Sequence, residues 1–393
     1  MRTIRQTWNF DSPIWALGFR PFFLLGGASA VLLMALWVGF QTGYLQATPY
    51  FPAAVWHPHE MVYGFCMGII AGFILTATQN WAGIPGVSKG RLFLLVMLWL
   101  AGRLGLHIWS SPNPVYATVD LAFIPCLGWF LWPYLSKPDQ KRNRIFYFFF
   151  ALLFFGNLLI HLDVLGWTSQ TLPTGIRLGL NGVLLIIILI GGRVLPFFTG
   201  KALPNAKVKT SPVLEKIVVP ATCLFALADG IFVGQSWLWP FALVMFALHG
   251  LRWWWWGPLQ TKPKPILWIL FVGYLFIVLG FLLQALAHLS WIMPTLAVHT
   301  TTVGGFGILI LGMISRVSLG HTGRPIHASP GIVLAYVLLI LATLLRVAWP
   351  LINSAHYPLA VTSSGILWIL SFLIFVSYYL PILWQPRIDG RPG

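Results

Sequence analysis

Apolar residues run along this chain in long, nearly charge-free stretches, without the alternation of a half-buried strand or the single stripe of a soluble helix. The stretches cover residues 22–44, 57–81, 91–110, 115–136, 145–166, 176–199, 215–234, 237–256, 266–288, 294–315, 331–352 and 360–384. A hydrocarbon core of about 30 Å needs roughly 20 apolar residues for one helical crossing, so each stretch predicts a transmembrane helix. The expected fold is all-α, a polytopic membrane protein of 12 helices. Residues 1–393 then form a single transmembrane domain, with no room for a separate soluble one. The first run follows Arg2 and Arg5 and contains Ala28-Ser29-Ala30, the outline of a signal peptide. Too few apolar residues precede that site and the run continues to Phe40, so it is read as a retained first helix.

Composition agrees: 58% of residues are hydrophobic and 8% charged, where a soluble domain carries about a quarter charged residues. The 24 Lys and Arg outnumber the 8 Asp and Glu, and their placement reads as topology, not as a nucleic-acid surface. Twenty of the 24 fall before the first helix, in alternate connections, or after the last helix, which places both termini in the cytoplasm. The exceptions are Arg103, Arg177, Arg193 and Arg346. Trp253 to Trp256, beside Arg252, fit an interfacial aromatic belt better than a base-stacking platform. Cys66, Cys126 and Cys223 lie in apolar runs without paired spacing, which supports neither a disulfide framework nor a zinc ribbon.

A weak repeat links three helix ends. Arg193-Val194 with Thr199-Gly200 matches Arg316-Val317 with Thr322-Gly323, and a shift of 240 brings His59, Gly64, Gly72, Gly83 and Pro85 onto His299, Gly304, Gly312, Gly323 and Pro325. Helices 2, 6 and 10 would then be equivalent in three units of four, a pseudo-threefold bundle.

The topology puts seven of the ten histidines on the non-cytoplasmic side: His57, His59, His107, His161, His288, His299 and His356. Neutral imidazole is the commonest metal ligand, and polar groups at a bilayer are costly, so the layer is a candidate metal-binding region. The densest segment is Trp56-His57-Pro58-His59-Glu60-Met61, with Pro58 expected in the first turn of helix 2. At about 100° per residue His57 and His59 point to opposite sides and serve separate centres, or one ligates while the other supports. Glu60, nearer the direction of His57, is its support, a proton carrier, or a carboxylate favoured by the helix dipole. Gly64, Gly68 and Gly72 continue the His57 face and suit either close helix packing or a flat porphyrin. Haem draws axial ligands from facing helices, and His299 heads helix 10 as the matching candidate. His107, His161 and His288 complete the candidate metal ligands. Nitrogen donors without thiolates suit copper, iron or zinc. Asp163 is a second candidate proton donor, Asp120 and Asp229 are proton-path or structural-pair residues inside helices 4 and 7, and Arg20, Arg103 and Arg193 are candidate partners of acids or haem propionates.

Four segments together resemble the NnrS family of bacterial membrane proteins: Leu17-Gly18-Phe19-Arg20-Pro21-Phe22-Phe23, Trp56-His57-Pro58-His59-Glu60-Met61, Gly191-Gly192-Arg193-Val194-Leu195-Pro196-Phe197-Phe198-Thr199, and Arg316-Val317-Ser318-Leu319-Gly320-His321-Thr322-Gly323-Arg324-Pro325. The resemblance implies an inner-membrane protein carrying haem, of b type, and copper, associated with denitrification and resistance to nitric oxide. Its His-x-His-Glu-Met pattern falls on His57, His59, Glu60 and Met61, and its helix 10 histidine on His299 before Thr302, Val303 and Gly304. The helix count is also similar to that of haem-copper oxidases, although helices 6 and 7 lack the histidines those enzymes use for copper. Two functions follow as expectations. One is reductive coupling of nitric oxide to nitrous oxide, with electrons from quinol or a periplasmic donor and protons through Glu60 or Asp163. The other is a haem protein that binds nitric oxide or guards metal delivery without turnover.

Overall fold

In lipid every backbone polar group must be satisfied within its own segment, and a chain this apolar has helices as its solution. A computed structural model describes residues 10–46, 50–106, 108 and 111–391, and these are helical and free of strands. His107, Arg2 and Arg5 lie outside the described residues.

A long helix stands at each of the twelve expected stretches: α1 (Phe19–Gln41), α2 (Ala53–Ala82), α3 (Lys89–Gly105), α4 (Pro114–Leu135), α5 (Ile145–Val164), α6 (Leu172–Ala202), α7 (Pro212–Ile231), α8 (Trp239–Trp255), α9 (Pro265–His288), α10 (Pro294–His321), α11 (Pro330–Ile352) and α12 (Tyr357–Trp384). Among the described residues, nine of them are long and apolar enough to cross a membrane. The others are α3 and α8, at 17 residues each, and α7, whose 20 residues carry Glu215, Lys216 and Asp229. Local chemistry sets the starts. Proline stands at the first position of α4, α7 and α11, and the preceding Asn113, Ser211 or Ser329 accepts a bond from a backbone N–H of the first turn.

The central helices are α2, α10 and α6, with 83%, 83% and 67% of their apolar windows buried, against 39–61% in the other candidate spans. Both α2 and α10 contain a π-helical stretch, Glu60–Cys66 and Thr300–Gly307, each beginning just after a candidate histidine. The two starts are 240 residues apart, the same shift that aligns the sequence segments. Helix α2 begins at Ala53, so Pro58 is interior and not in the first turn. A proline there has no N–H for the α-helical ladder, and the wider π turns follow it directly.

Glycines make the close approaches. A Cβ on Gly64 would meet Arg103 and Leu33, one on Gly68 would meet Trp99, and one on Gly72 would meet Phe22 and Phe23. The glycine face of α2 is therefore filled by α1 and α3, which settles its role as helix packing and leaves no room along it for a porphyrin. The Trp run divides as well: Trp254 is exposed, whereas Trp256 is buried beneath the Arg252 guanidinium at 4.8 Å.

Candidate functional site

Helix α2 directs His57 and His59 into two different sites. His57 stacks on Trp37 of α1, with ring centroids 4.2 Å apart, and its Nδ1 has no hydrogen-bond partner among the described residues. Across from it stands His299 of α10, its ring parallel within 6° at a centroid separation of 6.4 Å. Both imidazoles line a largely apolar cavity of about 110 Å³ that also touches Trp37, Met61, Trp368 and Arg346. His299 Nδ1 donates to the Thr295 carbonyl at 2.7 Å, which leaves the ring's lone pair on Nε2. Arg346 of α11 is held over this corner by Thr295 Oγ1 at 3.0 Å and Tyr357 Oη at 2.9 Å, while its Nη1 is buried without a hydrogen-bond partner among the described residues.

On the other side of α2, His59 is fully buried in a polar cluster. Its Nδ1 meets Glu60 Oε1 at 2.9 Å, and its Nε2 meets Asn157 Oδ1 at 3.0 Å and Asp120 Oδ2 at 3.2 Å. The same Asp120 oxygen accepts from Asn157 Nδ2 at 2.7 Å and from His161 Nε2 at 3.1 Å. Tyr50 Oη completes His161 at Nδ1, 2.9 Å away. Arg103 pairs with Asp120 Oδ1 and stands 3.4 Å from Glu60 Oε1. One ligand atom from each of His59, Asp120 and His161 lies within 4.8 Å of the others, close enough to hold a metal ion. With neutral imidazoles the cluster has two carboxylates against one guanidinium. A single positive charge, a proton or a cation, closes the balance that a low-dielectric interior demands.

Glu60 thus supports His59, not His57. Glu60 follows His59 directly in the chain, and the two side chains meet where the π turns begin. Its Oε2 is buried without a hydrogen-bond partner among the described residues.

Several expected residues lie elsewhere. Asp163 Oδ2 accepts the backbone N–H groups of Thr171 at 2.8 Å and Leu172 at 3.1 Å, so it caps α6 and is not brought to either site. Arg20 Nη1 donates to the carbonyls of Leu383 and Gln385, in a basic group with Arg324 and Arg387 at the far end of the bundle. Arg193 bonds Asn143 Oδ1 at 2.6 Å, also away from both sites. The arginine facing the large cavity is Arg346, and Arg103 belongs to the His59 cluster. His288 stands beside Asp229, 3.9 Å from its Oδ1, and gathers no second imidazole. His356 is exposed.

Asp120 and Arg346 carried no ligand or cofactor role in the sequence. Their signals were an acid inside an apolar run and a cation off the charge alternation. The chain matches no curated protein sequence. Its residues 13–387 match the model of the NnrS protein family, nearly the whole length, and the chain therefore belongs to the NnrS family.

Proposed function

We propose that this chain is a twelve-crossing inner-membrane protein, both termini cytoplasmic, that reduces nitric oxide using a haem held between His57 and His299 and a metal ion held by His59, Asp120 and His161. The observation that carries the reading is the divergence of the two α2 histidines into separate sites, each completed by an imidazole from another helix. The donors fit. The parallel rings of His57 and His299, 6.4 Å apart at their centroids, would hold the haem iron through their imidazole nitrogens. The partnerless His57 Nδ1 and Arg346 Nη1 border the same apolar cavity, where the guanidinium would meet a propionate. Two imidazoles and a carboxylate suit Fe(II), Zn(II) or Cu(II).

Bound haem and metal would supply nitric oxide binding and electron transfer, in a reaction that consumes two nitric oxide molecules, two electrons and two protons and yields nitrous oxide and water. The electrons come from quinol or a periplasmic donor. The chain's own residues do the rest. Glu60 bonds His59 and fixes its ring, while the free Oε2 is an acceptor able to carry a proton in the dry interior. Arg103 keeps the two carboxylates together, and the apolar wall of Trp37, Met61 and Trp368 excludes water.

Purified protein given a chemical reductant should show a haem spectrum, contain a second metal, and consume nitric oxide at an electrode. His57→Ala and His299→Ala should lose or alter the haem, His59→Ala and His161→Ala should lose the second metal, and His327→Ala should change neither. Wild-type haem in the first pair would reject the axial assignment. Binding of nitric oxide by the reduced protein without formation of nitrous oxide would establish the second reading, a non-enzymatic protein that protects by binding.

A further inference from the structure

A third buried acid has partners that neither site uses. Asp229 of α7 is completely buried. Its Oδ1 accepts from Gln284 Nε2 at 2.7 Å and its Oδ2 from Asn181 Nδ2 at 2.9 Å, with Arg177 Nε at 3.4 Å. On its outer side stands His288, the last residue of α9, whose buried Nε2 has no hydrogen-bond partner among the described residues and lies 3.9 Å from Oδ1. The charged or titratable groups described against Asp229 are thus Arg177 on α6 and His288 on α9.

On its inner side is a cavity of about 30 Å³, room for about two waters, with Arg177, Asn181, Gln284, Thr301 and Thr302 in its wall. Leu180, Thr302 and Phe306 belong also to the wall of the His57–His299 cavity, so the two spaces adjoin. Waters in a cavity with this many polar groups find the two to four partners each requires.

We propose that His288, Asp229 and the Arg177–Gln284–Thr302 cavity form a proton-transfer branch serving the His57–His299 cavity. The proposal rests on the reduction reading above: each pair of nitric oxide molecules takes up two protons with two electrons from the donor, and this branch delivers protons from the end of the bundle where α9 stops. A proton reaching His288 Nε2 crosses the 3.9 Å to Asp229 through one bridging water, then moves along hydrogen-bonded waters past Gln284 and Thr302. The ion pair with Arg177 and the bonds from Asn181 and Gln284 hold the acid in place between transfers.

The test uses the full-length protein as purified, in two measurements. In infrared difference spectra between two pH values, taken in light and heavy water, the wild type should show a carboxyl signal that follows external pH, shifts in heavy water and is missing from Asp229→Asn. Absence of that signal overturns the branch whether or not the protein turns over. In nitric oxide consumption with a chemical reductant, Asp229→Asn should be slower on the order of 100-fold, with an unchanged optical spectrum. Thr302→Val should slow with an increased solvent isotope effect, and His288→Ala should slow and recover on addition of free imidazole. Neither of these two removes a partner of Arg177, so they decide the matter if Asp229→Asn does not fold. Wild-type rates in all three variants overturn the branch. A wild type that consumes no nitric oxide rejects the reduction reading instead, and the infrared signal then judges Asp229 separately.

Discussion

Replacing Arg103 by Gln removes the one permanent cation from a cluster that holds two carboxylates. In the wild type, Glu60 and Asp120 against Arg103 leave one negative charge, which a single proton on His59 or one bound monovalent cation can close. In Arg103→Gln two negative charges remain in a site where His59, Glu60 and Asp120 are each almost wholly buried. Breaking a buried pair by deleting one partner costs about 3–5 kcal/mol. Glu60→Gln is the contrasting change, because Asp120 and Arg103 then balance by themselves. It exchanges one charge-assisted bond to His59, worth about 1.5–3 kcal/mol, for a neutral one of about 0.5–1.5 kcal/mol, a loss near 1 kcal/mol. Arg103→Gln should therefore be the less stable variant by roughly 2 kcal/mol or more when metal-free. A divalent cation reverses the order of benefit: it neutralises the variant cluster and overcharges the wild-type one. At a free metal concentration of 100 times Kd the bound form gains about 2.7 kcal/mol, so a tighter site gives a larger shift at equal metal. Thermal unfolding in detergent, with chelator and then with buffered Zn(II), measures both quantities. Equal destabilisation by Glu60→Gln, or a larger metal shift in the wild type than in Arg103→Gln, would refute the charge count.

In Gly156→Ala the new Cβ would stand 2.8 Å from Gly175 O and 2.9 Å from Gly179 N, backbone atoms that cannot swing aside, so the α5–α6 contact should lose about 1–3 kcal/mol or more. Because Asn157 is the next residue, metal content should fall with the unfolding midpoint. Asp163→Asn should cost about 0.5–2 kcal/mol as a weakened helix cap and leave nitric oxide consumption per folded molecule unchanged; a comparable loss of turnover would return Asp163 to the catalytic machinery. Reporter fusions after residues 86, 140, 206, 262 and 326 should read as cytoplasmic, and those after 50, 112, 170, 235, 290 and 355 as periplasmic. An inversion between neighbouring connections would change the number of crossings.

The helices were legible because the apolar runs are long and nearly uncharged, and α2 and α10 also announced their histidines. The opposed directions of His57 and His59 followed from helical angle alone. What the sequence hid was the partners. Asp120 reaches His59 and His161 across three helices, a juxtaposition without any periodic signal, and Arg346 lies 47 residues from His299 in the chain. A better clue was in the charge pattern. Of the four cations outside the alternation, Arg103 is in the His59 cluster, Arg177 beside Asp229 and Arg346 beside His299. A cation that breaks the topological rule needs a buried partner, and in three of the four cases that partner belongs to a site. Glu60 was assigned to the wrong histidine because helical angle alone does not show that a carboxylate and the imidazole of its chain neighbour meet through their side-chain torsions.

The wider π turns make α2 a two-phase helix. Everything after Glu60–Cys66 is rotated relative to an uninterrupted α-helix by about one residue, roughly 100°. The segment that aims His57 and His59 is thus uncoupled in azimuth from the segment whose glycines seat against Phe22, Phe23 and Trp99. Deleting a single residue within the π stretch would bring both segments onto one phase. With the glycine face held by its neighbours, both histidines would have to turn away from His299 and His161 together. The chain carries a matching phase joint after His299, so the two facing imidazoles are each aimed by a register offset.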